Sequence, residues 1–183
     1  QRVQEIVEGS VTGNGCVKTY GKFIAGRGFA VRSFYEAVVN NEGKTADELL
    51  QALAEDYAMF AGFALHVNYN VLGEIVEVQS IPFEQVRLKE QDANGYVAKV
   101  LLHPDWSEKS YRNGQLVRVN SDTVEEIDVY NPHKEVVLAQ MFKAGGIEFY
   151  KGQVLYVSRA GGANYPTPIY DSIISEMSTD EGL

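Results

Sequence analysis

One cysteine, Cys16, is all the chain has, so no internal disulfide can form and the composition suits a reducing compartment. No apolar run approaches the ~20 residues that a membrane-spanning helix needs. Histidine is scarce as well, with only His66, His103 and His133. The sequence has no cysteine pair, no His-x-x-x-His spacing and no Asp-x-Asp-x-Asp-Gly loop, so no metal set can be read from it. Phosphate loops are missing too. Gly161-Gly162 lacks the following Lys-Ser/Thr, and Gly13-Asn-Gly15 lacks the third glycine and preceding strand of a dinucleotide fingerprint. Positive charge is in deficit: 16 Lys and Arg against 25 Asp and Glu give a net charge of −9. That balance argues against an autonomous nucleic-acid-binding module, whose affinity comes from neutralising phosphates. It still permits a wall along which nucleic acid slides without sticking.

What is present is a core. Apolar residues make up 45% of the chain and aromatics 11%, which excludes disorder, and 183 residues match one sizeable domain. The chain is organised around Thr45 to Leu88. Thr45-Ala-Asp-Glu48 is a capping box, and Leu49, Leu50, Leu53, Tyr57, Phe60 and Ala61 form a helical apolar stripe behind it. Gly62 is expected to stop that helix. The period then becomes two: Phe63, Leu65, Val67 and Tyr69 alternate with Ala64, His66, Asn68 and Asn70. Asn70 to Gly73 reads as a turn, and Ile75, Val76 and Val78 as the returning strand, closed by Pro82.

Ahead of this stretch, residues 2 to 24 read as one helix, weakened by Gly9, Gly13 and Gly15 at ~1 kcal/mol each, which either breaks near Gly13 or packs a neighbour closely there. Cys16 falls in its apolar pattern and is expected to be buried. Phe29 to Val39 leans towards a strand, with Asn40 to Gly43 as a turn. Beyond it, Asn94-Gly95 signals a hairpin before a strand from Tyr96 to Leu102. Short strands around Leu116, Val119, Val124, Ile127 and Val129 follow, then a helix from Lys134 to Ala144 ended by Gly145-Gly146. Gln153 to Val157 is a further strand, and Pro168 can open a last helix carrying Ile169, Ile173, Ile174 and Met177. The expected fold is α+β, a single domain over residues 1–183 with helices packed on a mainly antiparallel, meandering sheet of five to seven strands. The chain opens on Gln1, and Ser178 to Glu181 is a capping box with no helix after it. A piece of a longer protein is therefore expected.

Catalytic sets are thin. His103-Pro-Asp105 could orient an imidazole by a carboxylate, but no nucleophile elbow accompanies it. His66 reads as a solvent-facing strand residue and His133 as a surface residue at a helix start. Glu126 and Asp128, alternating with Ile127 and Val129, read as a solvated strand face. Aromatics are enriched at interface hot spots. Tyr165, Pro166, Pro168 and Tyr170, in a Pro-bracketed loop, together with Trp106, are the candidate interface residues.

The order of these pieces carries a resemblance. Ala25-Gly-Arg-Gly28-Phe29 ends the first helix, and Asp56-Tyr-Ala-Met-Phe-Ala-Gly62-Phe63 leads into the hairpin with Gly73. Ile81-Pro82-Phe83-Glu-Gln-Val86-Arg87, Gly152-Gln-Val-Leu-Tyr156 and Tyr165-Pro-Thr-Pro168-Ile-Tyr170 come later. Across the whole chain this resembles the N-terminal part of a tailed-bacteriophage or prophage portal protein.

The resemblance implies a wing-like α/β domain, with residues 168–183 leading into the stem. It implies a homo-oligomeric ring, usually dodecameric, at one capsid vertex. The ring would pass DNA during packaging and ejection without sequence-specific binding, and would dock terminase, capsid and head–tail connector proteins. The implied places are the virion and, during assembly, the bacterial host cytoplasm. ATP hydrolysis in that family belongs to terminase, which fits the missing phosphate loop, and from the residues themselves no catalytic residue, cofactor or metal is expected. A stand-alone α+β enzyme using His103 and Asp105, and a small adaptor binding peptides through strand edges, are the other readings.

Overall fold

The computed structural model describes residues 2–106, 110–112, 115–117, 119, 123–159 and 166. Helices α1 (Arg2–Gly9) and α2 (Val11–Ala25) open the chain. They break at Ser10 rather than near Gly13. The Ser10 hydroxyl accepts from the Gly13 backbone N–H at 3.0 Å, so a side-chain cap sets the boundary. Phe29–Val39 is not a strand. Gly26 and Gly28, both at positive φ, reverse the chain into the one-turn helix α3 (Arg32–Tyr35), and only an isolated bridge joins Val38 to Thr45.

Helix α4 (Ala46–Phe60) begins with the expected capping box, in which Thr45 and Glu48 each bond the other's backbone N–H. Its left-handed cap is Ala61 at φ 57°, and Gly62 is instead the first residue of β1 (Gly62–Tyr69). The reason is space: a Cβ at Gly62 would lie 2.5 Å from the Phe83 ring. β1 turns through Gly73 into β2 (Ile75–Ile81), as the sequence indicates.

A 3₁₀ turn (Phe83–Gln85) then carries the chain to β3 (Val86–Leu88) and β4 (Lys99–Leu102). The short ribbon of β5 (Ser110–Arg112) and β6 (Gln115–Val117) comes next, then β7 (Glu125–Val129), α5 (Lys134–Ala144), a second 3₁₀ turn (Ile147–Phe149) and β8 (Gln153–Ser158). The fold is α+β, with a mainly antiparallel six-stranded sheet. Its order, β2-β1-β8-β7-β4-β3, is not a plain meander. β8 enters between β1 and β7 and runs parallel to β7. Parallel neighbours need a long crossover, and α5 supplies it.

Strand alternation puts Ala64, Val86, Val100, Ile127 and Val154 on one core, which Phe60 and Phe83 complete. Val67 and Tyr69 point to the other face, against Val137 and Met141 of α5. That face turns charged towards β3, where Lys99 meets Asp128 at 2.8 Å and Lys89 meets Glu126 at 2.7 Å. The sequence reads Glu126 and Asp128 as a strand face in water, and the structure pairs each with a lysine of a neighbouring segment, which contributes little to stability.

Helix α2 lies on α4 through a narrow seam. Val17 packs with Val7 and Ala58, and a Cβ on Gly21 would come within 3.3 Å of the Glu55 side chain. The buried stripe of α2 is Gly13, Val17 and Gly21, so Cys16 lies off it and is exposed, against expectation. Leu53 is only half-buried. Leu49, Ala54, Ala58 and Phe60 carry the burial of α4.

Candidate functional site

A concave feature lies where α2, the last turns of α4, β2 and the Pro82–Glu84 turn meet. It is a groove of about 820 Å³. Its apolar wall comes from Val17, Ala52, Met59, Phe60 and Pro82, and its charged rim from Lys18, Glu42, Lys44, Glu55, Asp56 and Glu84. Lys44 and Glu42 pair with each other at 2.8 Å. Glu42 also accepts from the Gln79 amide at 2.8 Å, which fixes one side of the rim.

Asp56 is the distinctive group. Burial pushes its carboxyl up from the ordinary aspartate value to about 7, and the neighbouring Glu84 charge adds to this. A hydrogen bond from the Phe83 backbone N–H pulls the other way without offsetting the burial. Near neutral pH, Asp56 is thus shared between a carboxylic acid and a carboxylate. Any cation entering the groove would favour the carboxylate. A near-neutral carboxyl in a cleft is also the kind of group that can move a proton.

Sequence reading did not single out this groove. Asp56 and Glu84 are far apart in the chain and are joined only by the packing of the 3₁₀ turn on α4. One signal was available. Asp56 follows an otherwise apolar stripe towards the C-terminal end of a helix, where the dipole disfavours a negative charge.

The sequence-derived candidates lie elsewhere. Trp106 is half-buried, donating its indole N–H to the Gln85 carbonyl at 2.8 Å beneath the Arg87 guanidinium, 5.5 Å from the ring centre. Pro166 is buried. Tyr165, Pro168 and Tyr170, with the expected final helix and second capping box, lie outside the described residues. His103 is buried, and its Nδ1 accepts from the Asp105 backbone N–H at 3.1 Å. His66 Nε2 contacts the Lys151 carbonyl at 2.7 Å, and His133 is exposed at the start of α5. Among the described residues no group of His, Cys, Asp and Glu is placed to hold a metal, and no helix is long and apolar enough to cross a membrane.

A second feature is apolar surface left in water. Phe29 and Phe34 meet edge-to-face at 4.7 Å, and with Val31 they form a knob between α2 and α3. Lys18, Lys22, Arg27 and Arg32 are the only charged residues from 18 to 35 in this otherwise acidic chain. A separate patch joins Val71, Leu72, Ile75 and Val76 of the hairpin to Leu138 and Phe142 of α5. The hairpin and α5 meet at Gly73, where a Cβ would lie 3.3 Å from Leu138.

No model of a known protein family matches the chain, and comparison with curated protein sequences gives no match. Among solved structures it is similar to a chain of the virion of a native gene transfer agent particle, at 15% identity and a TM-score of 0.47, covering 78% of this chain and 42% of that one. Two neck structures of such particles are also similar, each at 15% identity. The neck of the empty particle, computed with C6 symmetry, has a TM-score of 0.45 and covers 97% and 54% of the two chains. The neck of the native particle, computed with C12 symmetry, has a TM-score of 0.47 and covers 97% and 53%. The chain spans about half the length of these solved chains.

Proposed function

We propose that this chain is a structural assembly protein of a tailed-phage or prophage particle, the wing-like part of a portal. It associates with copies of itself into a ring at the capsid vertex, around a channel that passes DNA during packaging and ejection. Terminase, capsid and head–tail connector proteins meet that ring. The chain is not an enzyme and uses no cofactor. Its net charge of −9 suits a wall that DNA slides along, since few cations are available to hold phosphates by counterion release.

The observation that carries the reading is the uncovered apolar surface. Val31 is 62% exposed in the knob and Phe142 88% exposed in the hairpin–α5 patch. Soluble monomers rarely keep contiguous apolar patches of this kind, and assembly covers them. The order of motifs from Ala25 to Tyr170 supports a portal in particular.

Negative-stain electron microscopy of the full-length protein tests the proposal. Rings with an open centre wide enough for duplex DNA are expected. Single protomers, or particles without a channel, would overturn it.

A stand-alone enzyme is the second reading, and the near-neutral Asp56 carboxyl in its groove is the observation on its side. Under that reading Asp56→Asn abolishes a turnover and leaves assembly intact. Under the assembly reading there is no turnover to lose.

A further inference from the structure

We propose that the groove beside α4 receives the basic aromatic knob of a second copy of this chain, through Arg27, Phe29, Val31 and Arg32. The proposal rests on the self-assembly reading above and deepens it by naming the two surfaces that meet.

The surfaces match in chemistry. The groove has an apolar wall, and its rim carries Glu55, Asp56 and Glu84 with Lys18, while Glu42 and Lys44 pair with each other, so carboxylates are in excess. The knob has exposed apolar residues between two guanidiniums and no acidic residue from 18 to 35. Arg27 and Arg32 can each form charge-assisted bonds with carboxylates while Phe29 and Val31 cover the wall. Arg32 already pairs with Glu36 at 2.9 Å, but both are exposed, so the exchange costs little.

The knob is also pre-formed. Gly28 sits at φ 73° with Asp47 and Tyr35 packed so closely that no Cβ fits. The Tyr35 hydroxyl bonds the Asp47 carboxylate, and Gln51 donates to the same carboxylate at 2.7 Å. A rigid loop loses little entropy on docking.

None of Arg27, Phe29, Val31 and Arg32 lines the groove of its own chain. The knob is held at the start of α4, by Asp47, whereas the groove lies along its later turns, from Ala52 to Phe60. Knob and groove are different patches, so one such contact leaves a free knob on one copy and a free groove on the other, and head-to-tail repetition gives a ring where the rotation closes.

Asp56 makes the contact sensitive to pH. It faces Glu84 from the 3₁₀ turn, Glu55 from its own helix, Lys18 from α2, and Glu42 and Lys44 across the groove. An arriving guanidinium favours the carboxylate over the acid, so docking releases a proton when it starts from neutral Asp56.

The test is complementation by sedimentation velocity at pH 8 and low salt, with circular dichroism to confirm folding. One variant, Arg27→Glu with Arg32→Glu, keeps the groove and loses the knob. The other, Glu55→Lys with Glu84→Lys, keeps the knob and loses the groove. The unmodified chain is expected to gain mass with concentration, and each variant alone to stay a protomer. Their equimolar mixture is expected to give a two-chain species and nothing larger.

Self-association of the unmodified chain that both variants retain would overturn this inference and leave the assembly reading standing. No association in any sample would overturn the inference, and rings in electron micrographs of the full-length protein would still be the separate test of the assembly reading. As a second readout, association of the unmodified chain should strengthen about tenfold between pH 6 and pH 8, and Asp56→Asn should abolish that change. Equal pH dependence in both proteins would also contradict the proposal.

Discussion

The Tyr69 hydroxyl donates to the Gln153 side-chain carbonyl at 2.7 Å, and both residues are buried. The same oxygen accepts from the Asn131 backbone N–H at 2.9 Å, while the Gln153 amide donates to Gln140 of α5 at 2.7 Å. Tyr150 adds its hydroxyl to the Gln140 oxygen at 2.9 Å. This satisfied network fastens the crossover helix to the strand it delivers. Burial raises the Tyr69 pKa to about 12, so its hydroxyl stays a donor throughout the physiological range.

Removing Gln153 should therefore cost more than removing Tyr69's oxygen. Tyr69→Phe leaves the Gln153 oxygen its Asn131 donor and should cost about 1 kcal/mol. Gln153→Leu strands the buried Tyr69 hydroxyl and the Asn131 N–H together, at roughly 1–3 kcal/mol for each unsatisfied group. Urea denaturation of the two variants checks the order.

Helix α4 offers a comparison of two leucines. Leu49 is 7% exposed, and Leu49→Ala should cost roughly 2–5 kcal/mol through lost transfer energy and a cavity. Leu53 is half-buried, so Leu53→Ala should cost clearly less. Equal shifts in denaturation midpoint would show that the buried face of α4 is misassigned.

Glycine substitutions should go in opposite directions. Nothing lies within 4 Å of a Cβ on helical Gly15, so Gly15→Ala should stabilise by roughly 0.5–1 kcal/mol. Gly28→Ala faces a positive φ and direct collision with Asp47 and Tyr35. It should destabilise the chain and loosen the knob. Thermal melts of both variants test this.

The raised Asp56 pKa has a definite consequence for stability. Between the unfolded value near 4 and the folded value of about 7, the native state holds more protons than the unfolded one. This contribution is complete at low pH and is lost as pH rises through that window. Glu42, Glu48 and Glu77, whose pKa values are lowered by hydrogen bonds to Lys44, Thr45 and Asn41 respectively, work in the reverse direction on acidification. The comparison with Asp56→Asn isolates the effect: relative to that variant, the unmodified chain should lose stability from pH 4.5 to pH 7.5.

Much of the fold was legible where local chemistry decides it. Thr45 and Glu48 announced α4, Asn70 to Gly73 the hairpin, and Gly145 the end of α5. The elements misread were those that neighbours decide. Ser10 beat Gly13 as the break because its hydroxyl caps α2. Phe29 to Val39 has strand-like residues, but paired glycines and the Tyr35–Asp47 contact fold it into a knob. Cys16 follows an apolar pattern whose helix buries only a narrow glycine-lined stripe. The groove was invisible because its carboxylates come from separate elements, and no local pattern encodes their meeting.

Self-assembly is the central claim, and the mass in solution tests it most directly. Light scattering should be run on the full-length protein over a range of concentrations. A large, discrete multiple of the protomer mass, stable to dilution, is expected. A protomer mass at every concentration would contradict it.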